Sequence, residues 1–176
     1  MHTSYYDYGS SGHNINEYST MFYLLSSKDP MRQVETGHGQ LYVSGCPEVE
    51  DLFNFKPFDI IWNLAEELDD FGDLERYFTK NLLMARIPDF DIPTDEYEFM
   101  DQLDQVINCL YDNGKVLVHC NGGHGRTGMT LALIKNYVDN VKIKKALKFA
   151  RRICKGPEDK EQVAFARLLS KTRMVV

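Results

Sequence analysis

No stretch of this chain stays apolar for the roughly 20 residues that a bilayer span requires. Its first residues also lack the basic start and apolar core of a secretory leader. A soluble, cytoplasmic protein is therefore expected. Cysteine is scarce, with Cys46, Cys109, Cys120 and Cys154 the four in 176 residues. A chain of that length buries a sizeable core without cross-links, so the four read as thiols. An excess of positive charge is missing as well. The net charge is −6, so the surface as a whole suits neither nucleic acid nor an anionic membrane. Any anion binding must be local. No internal repeat is visible.

What is present is ordinary for a globular protein, 43% hydrophobic and 26% charged. Residues 1–20 are rich in Tyr, Ser, Gly and Asn without an apolar period, which predicts a flexible arm. Residues 21–176 are expected to form a single domain. The pattern predicts a short strand at 41–43, a turn at 45–47 and a short helix over 48–54. Apolar runs at 60–64 and 82–87 read as strands, the second ended by Pro88. Thr94 is the expected cap of a helix in which Phe99, Leu103, Val106, Ile107 and Leu110 recur at helical spacing, and Asn113-Gly114 closes it. The β-branched run 116–118 reads as a strand buried on both faces. Residues 127–137 are apolar nearly all round, as in a helix within the core. Two more helices are expected, one over 142–154 and one from Pro157, with Glu158 and Asp159 in its first turn. Strands mixed with helices indicate an α/β domain around a central sheet.

Between the buried strand and the buried helix lies Val118-His119-Cys120-Asn121-Gly122-Gly123-His124-Gly125-Arg126-Thr127-Gly128. A glycine-rich loop in that position can curl its N–H groups toward one point, at which the following helix also aims its positive end. The result is a cradle sized for one phosphate, formed by Asn121, Gly122, Gly123, His124, Gly125 and Arg126. Curling brings Cys120 and Arg126 together. The guanidinium can grip two phosphate oxygens. The same positive field favours the thiolate of Cys120, which is then placed to attack phosphorus in line. Thr127 can donate its hydroxyl to the sulfur. The chain has eight arginines, so the bare Cys-x5-Arg spacing would arise by chance for about one chain in five. The strength lies in the preceding His, the closing Gly-Arg-Thr-Gly and the correct flanking elements.

On these residues the chain resembles the protein tyrosine phosphatase superfamily, in its small, atypical dual-specificity form, over roughly residues 38–170. The resemblance implies a cysteine-phosphatase fold, with a central, mostly parallel but mixed sheet of about five strands flanked by helices. It implies catalysis through a phosphocysteine with no cofactor and no metal, and a phosphoprotein as the partner. Neither nucleic acid nor membrane is expected as a partner, and the oligomeric state is left open. Such enzymes carry an acid on a separate loop before the cysteine. Ile87-Pro88-Asp89-Phe90-Asp91-Ile92-Pro93 matches that loop, with Asp89 in the catalytic place and Asp91 as its rival. Glu161-Gln162 resembles the family's Glu-Gln pair, and Gln162 would orient the hydrolytic water. The resemblance gives His119 a supporting role in tuning the loop. His124 either shapes the pocket wall or is a tolerated loop residue.

Histidine and cysteine near the loop could bind metal, but no second ligand pair lies at zinc-like spacing. Phosphoinositide phosphatases of the superfamily tend to carry lysines in the loop, and RNA 5′-triphosphatases tend to have Thr-His after the cysteine. Asn-Gly-Gly-His-Gly has neither. A non-catalytic phosphopeptide-binding module usually lacks the cysteine, arginine or acid. Lys144, Lys148, Arg151, Arg152 and Lys155 form a basic helical stripe, read as a solvated face or, less commonly, a dock for an acidic partner.

Overall fold

Runs such as 60–64 and 116–118 show no polar alternation because both faces of the sheet are covered. The computed structural model describes residues 29–157 and 159–172. The predicted arm at 1–20, with its tyrosines, and Glu158 lie outside these residues. Five strands form one sheet: β1 (Arg32–Val34), β2 (Gln40–Ser44), β3 (Phe58–Ala65), β4 (Thr79–Ile87) and β5 (Lys115–His119). Their order is β1-β2-β5-β3-β4. The pairs β2–β5, β5–β3 and β3–β4 are parallel, while β1 adds antiparallel at the edge. This is the mixed, mostly parallel sheet of five strands that the resemblance implies, within the α/β domain that the sequence pattern predicts.

Among the described residues six helices cover the sheet: α1 (Val49–Phe55), α2 (Asp69–Glu75), α3 (Glu96–Tyr111), α4 (Gly125–Val138), α5 (Ile143–Cys154) and α6 (Lys160–Thr172). A 3-10 turn (Glu66–Leu68) links β3 to α2. The strands divide their side chains between two cores. Leu41, Val43, Ile60, Trp62, Val116 and Val118 meet α3–α6 on one face. Tyr42, Ile61 and Leu117 meet residues of α1 and α2 on the other. Each fully buried residue of this kind stabilises by about 1.5–3 kcal/mol relative to exposure. Trp62 is buried with its polar end satisfied, its Nε1–H donating to Gln102 Oε1 at 2.7 Å. Residues 126–134 of α4 are buried without a break, so this helix is threaded between the sheet and α5 and α6.

Two local expectations change. The cap of α3 is Asp95 rather than Thr94, its carboxylate accepting from Glu98 N at 2.9 Å. Aspartate brings a negative charge to the helix N-terminus as well as an acceptor. The last helix begins at Lys160, not Pro157, because Asp159 Oδ1 accepts from Glu161 N at 2.7 Å and caps it. Two elements, β1 and α2, had no sequence signal. The first has one apolar residue in three, and the second is mostly acidic. Among the described residues no helix is long and apolar enough to cross a membrane.

Candidate active site

Strand β5 delivers Cys120 at its C-terminal end, beside the C-terminal ends of β2 and β3, where open parallel sheets commonly bind ligands. The loop 120–125 then turns back into α4. Its carbonyls point away from the loop centre. Asn121 O accepts from Cys46 N at 2.8 Å, Gly122 O from Asp29 N at 3.2 Å, and His124 O from Gly128 N of the first turn of α4 at 2.7 Å. A trans peptide points its N–H opposite to its C=O. The N–H groups of Gly122, Gly123 and Gly125 are thereby turned into the loop. Gly123 shows this directly, its N–H donating to Cys120 Sγ at 3.2 Å. Only glycine fits there: φ is +83°, and a Cβ would sit 2.6 Å from Gly45 N.

The sulfur of Cys120 is buried and accepts a second hydrogen bond, from Thr127 Oγ1 at 3.1 Å. Two donors aimed at one sulfur suit a thiolate. The other thiols are different. Burial, with the charges of Asp59 and Asp112 nearby, pushes Cys109 up to about 11. Burial, with Cys120 and Asp29 nearby, pushes Cys154 up to about 12. Both remain protonated at neutral pH.

Arg126 opens α4 with its side chain 2% exposed. Its Nη1 donates to Glu67 Oε2 at 2.7 Å and to Ile87 O at 2.8 Å. Its Nη2 donates to Glu67 Oε1 at 2.6 Å and to Asp89 Oδ1 at 2.9 Å. All four terminal hydrogens are thus in use. Desolvation alone would lower the pKa of this guanidinium, but its hydrogen bonds to Glu67 and the charges of Cys120, Glu67 and Asp89 raise it. Desolvation also acts to raise the Glu67 pKa. The bonds and charge of Arg126, with a bond from Asn121, outweigh it and hold the carboxyl below its ordinary value. A phosphate gripped through Nη2 must exchange with Asp89, whereas Glu67 can stay behind the guanidinium.

Residues 87–93 place Asp89 and Asp91 differently. Each carboxylate accepts from the next residue's N, Phe90 N at 3.1 Å and Ile92 N at 2.8 Å, but only Asp89 also accepts from Arg126. The backbone of Asp91 is docked on α6, since its carbonyl accepts from Gln162 Nε2 at 3.0 Å. Between them Phe90 is 81% exposed at a positive φ of 61°. Gln162 itself is buried against Gly125, and its Oε1 has no partner among the described residues. The structure thus brings Cys120, Arg126, Thr127, Asp89 and Gln162 around one loop. His124 behaves otherwise. Its Nδ1 faces Cys154 O at 2.9 Å and Asp29 Oδ2 at 3.3 Å, so the ring braces the loop against α5.

Two residues that sequence reasoning missed complete the arrangement. Glu75 of α2 is fully buried, its Oε1 2.5 Å from His119 Nε2 and its Oε2 accepting from Asn63 Nδ2 at 3.0 Å. His119 Nδ1 in turn lies 3.3 Å from Cys120 O. A buried carboxylate therefore fixes the ring that meets the first peptide of the loop. Glu67 could have been sought from its place just beyond a buried strand. Nothing in the acidic segment 66–75 singles out Glu75.

Residues 56–137 match the family described as polymorphic toxin system, DSP-PTPase phosphatase. The chain is 32% identical over 133 residues to a protein named "Putative tyrosine phosphatase 197R" from Invertebrate iridescent virus 6, covering 71% of this chain and 48% of that protein. A second viral protein, "Putative tyrosine phosphatase 067L" from Invertebrate iridescent virus 3, is 28% identical, with 58% of this chain and 45% of that protein covered. The chain thus spans about half the length of the curated relatives it matches. Among solved structures, Tk-PTP in its active form is similar at 26% identity and a TM-score of 0.64, over 77% of this chain and 92% of that one. Kinase associated phosphatase shares the fold at 16% identity and a TM-score of 0.66, with 84% and 98% covered.

Proposed function

We propose that the chain belongs to the dual-specificity type of the protein tyrosine phosphatase superfamily, on the match of residues 56–137 and the likeness to the viral protein and to Tk-PTP, and that it hydrolyses phosphate monoesters on protein tyrosine, and on serine and threonine where the pocket admits them. The reading rests on one arrangement: a sulfur with two donors aimed at it, at the floor of an N–H cradle whose rim carries Arg126 and Asp89 2.9 Å apart. In the first step the Cys120 sulfur attacks phosphorus opposite the ester oxygen. The S–P bond forms, the P–O bond breaks, and Asp89 gives its proton to the departing oxygen, which would otherwise leave as a poor alkoxide or phenolate. Arg126 and the loop amides hold the charge on the three other oxygens. In the second step the Asp89 carboxylate takes a proton from water. The water oxygen bonds to phosphorus, the S–P bond breaks, and the thiolate returns to the donors of Thr127 and Gly123. Gln162, with its amide oxygen uncommitted beside Gly125, is suited to hold that water.

A substrate panel of phosphotyrosine, phosphoserine and phosphothreonine peptides, phosphoinositides and triphosphorylated RNA tests the reading. Peptides should be turned over in the presence of chelator, and Cys120→Ser should abolish turnover while the fold persists. Near wild-type activity in that variant, or turnover of the lipid or RNA alone, would overturn it. Asp89→Asn should slow phosphotyrosine hydrolysis by about 10²–10⁴-fold, and an activated aryl phosphate less, because its phenolate leaves unaided. Asp91→Asn should give a modest change independent of leaving group. The reverse pattern would make Asp91 the acid.

A further inference from the structure

Residues 141–157 carry seven basic side chains and no acidic one. With the whole chain at −6 and this segment at +7, the remainder stands at −13. The positive charge is therefore concentrated rather than balanced. Lys144, Lys148, Arg151 and Lys155 fall at i, i+4, i+7 and i+11, one face of α5 and its first residue beyond, and all four are exposed. Beside them a groove of about 520 Å³ is lined by Lys144, Lys145, Leu147, Lys148, Arg151 and Arg167, the last from α6. Its lining has cationic tips, one buried leucine and no aromatic ring. Among the described residues no carboxylate lies within ion-pair distance of Lys144, Lys145, Lys148, Arg151 or Arg167.

This row of charge ends at the phosphate loop. Lys155 Nζ lies 3.6 Å from Asp29 Oδ1, and the other oxygen of Asp29 is 3.3 Å from His124 of the loop. The segment after β3 is acidic instead, with Glu66, Glu67, Asp69, Asp70 and Asp73, and it reaches the site through Glu67 on Arg126. The site therefore adjoins cations at His124 and carboxylates at Arg126.

We propose that the cationic face of α5, with Arg167, is a docking rail for an acidic segment of the protein substrate lying to one side of its phosphorylated residue. The proposal rests on the protein-phosphatase reading above. The spacings agree. Cations four residues apart on a helix are about 6 Å apart along its axis. Alternate side chains of an extended peptide are about 6.6 Å apart. The run from Lys155 to Lys144 covers about 16 Å, the length of about five extended residues. Single-stranded nucleic acid also has regularly spaced charge, but its usual sites add aromatic platforms for the bases, and this groove has none.

The test compares three phosphotyrosine peptides: neutral, with an acidic cluster N-terminal to the phosphotyrosine, and with the cluster C-terminal to it. Each is measured with the wild type and with Lys144→Glu/Lys148→Glu, alongside a small aryl phosphate. One acidic peptide should be preferred by about tenfold in kcat/KM, mainly through KM, and the preference should fade with salt. The double variant should abolish it and leave the aryl phosphate unchanged. The milder Lys144→Gln/Lys148→Gln should fall between. Equal use of neutral and acidic peptides would overturn the rail and leave the phosphatase reading standing. Failure on every peptide, with Cys120-dependent hydrolysis of the aryl phosphate intact, would overturn both. Labelled single-stranded RNA bound by Cys120→Ser and not displaced by acidic peptide would overturn the rail in favour of nucleic acid. A change of oligomeric state in the double variant, without a change in peptide preference, would assign the face to a second copy of the chain.

Discussion

Replacing Glu75 by alanine removes the only charged partner that His119 has among the described residues. Both side chains are 0% exposed, so no water takes the vacated place at once. His119 Nε2 loses its carboxyl partner at 2.5 Å, and Asn63 Nδ2 loses one of its two acceptors, at 3.0 Å, keeping Leu68 O at 3.3 Å. Breaking one side of a buried pair costs about 3–5 kcal/mol. The domain as a whole is expected to hold only about 5–15 kcal/mol, so the loss is a large fraction of it. For a chain of this length it corresponds to a fall in Tm of roughly 6–20 °C. Glu75→Gln should cost less. Asn63 cannot turn over, because its Oδ1 accepts from Ala65 N at 3.0 Å. The glutamine oxygen must therefore face Asn63 and its amide must face His119 Nε2, an arrangement that works when that nitrogen accepts. Urea unfolding followed by circular dichroism measures both variants. A double-mutant cycle with His119→Ala isolates the pair, with an expected coupling of about 1.5 kcal/mol or more. Turnover per folded molecule should also fall in Glu75→Ala, because the ring that meets Cys120 O is no longer fixed. A cost below about 1 kcal/mol, or additivity in the cycle, would refute the account of Glu75 as the brace of the loop.

Glu67 gives a pH prediction. Its folded-state pKa lies below its ordinary 4.5, so the stability it contributes is fully present above that value and is lost as pH falls through the lower folded one. The stability gap between wild type and Glu67→Gln should be constant near neutrality and shrink below about pH 4.5; a pH-independent urea midpoint difference would contradict this. The thiols give another. Iodoacetate at neutral pH should label Cys120 first, since Cys109 and Cys154 are pushed up to about 11 and about 12. Peptide mapping that finds Cys109 or Cys154 modified first would count against the assignment.

What the sequence by itself determined was local. The loop from His119 to Gly128 is legible because strand, glycines and helix follow one another in the chain, and a curled loop needs no distant partner to bring Cys120 near Arg126. The assignment of residues 87–93 as an acid loop came from the resemblance, and the residues themselves added only that Pro88 ends a strand just before Asp89. Strand runs such as 116–118 were legible because a sheet covered on both faces leaves no polar alternation to confuse the reading. Tertiary structure decided what joins these pieces. Glu67 reaches Arg126 across 59 residues of sequence, and Glu75 reaches His119 across 44. No periodicity marks either carboxylate among its acidic neighbours: Glu75 is distinguished by burial, fixed only when α2 packs on the sheet, and Glu67 by its reach to Arg126 from the turn after β3. The choice between Asp89 and Asp91 as the partner of Arg126 was likewise made by the fold, which turns one carboxylate to the guanidinium and spends the other on its own turn. The edge strand β1 exists only because β2 offers it unpaired backbone groups.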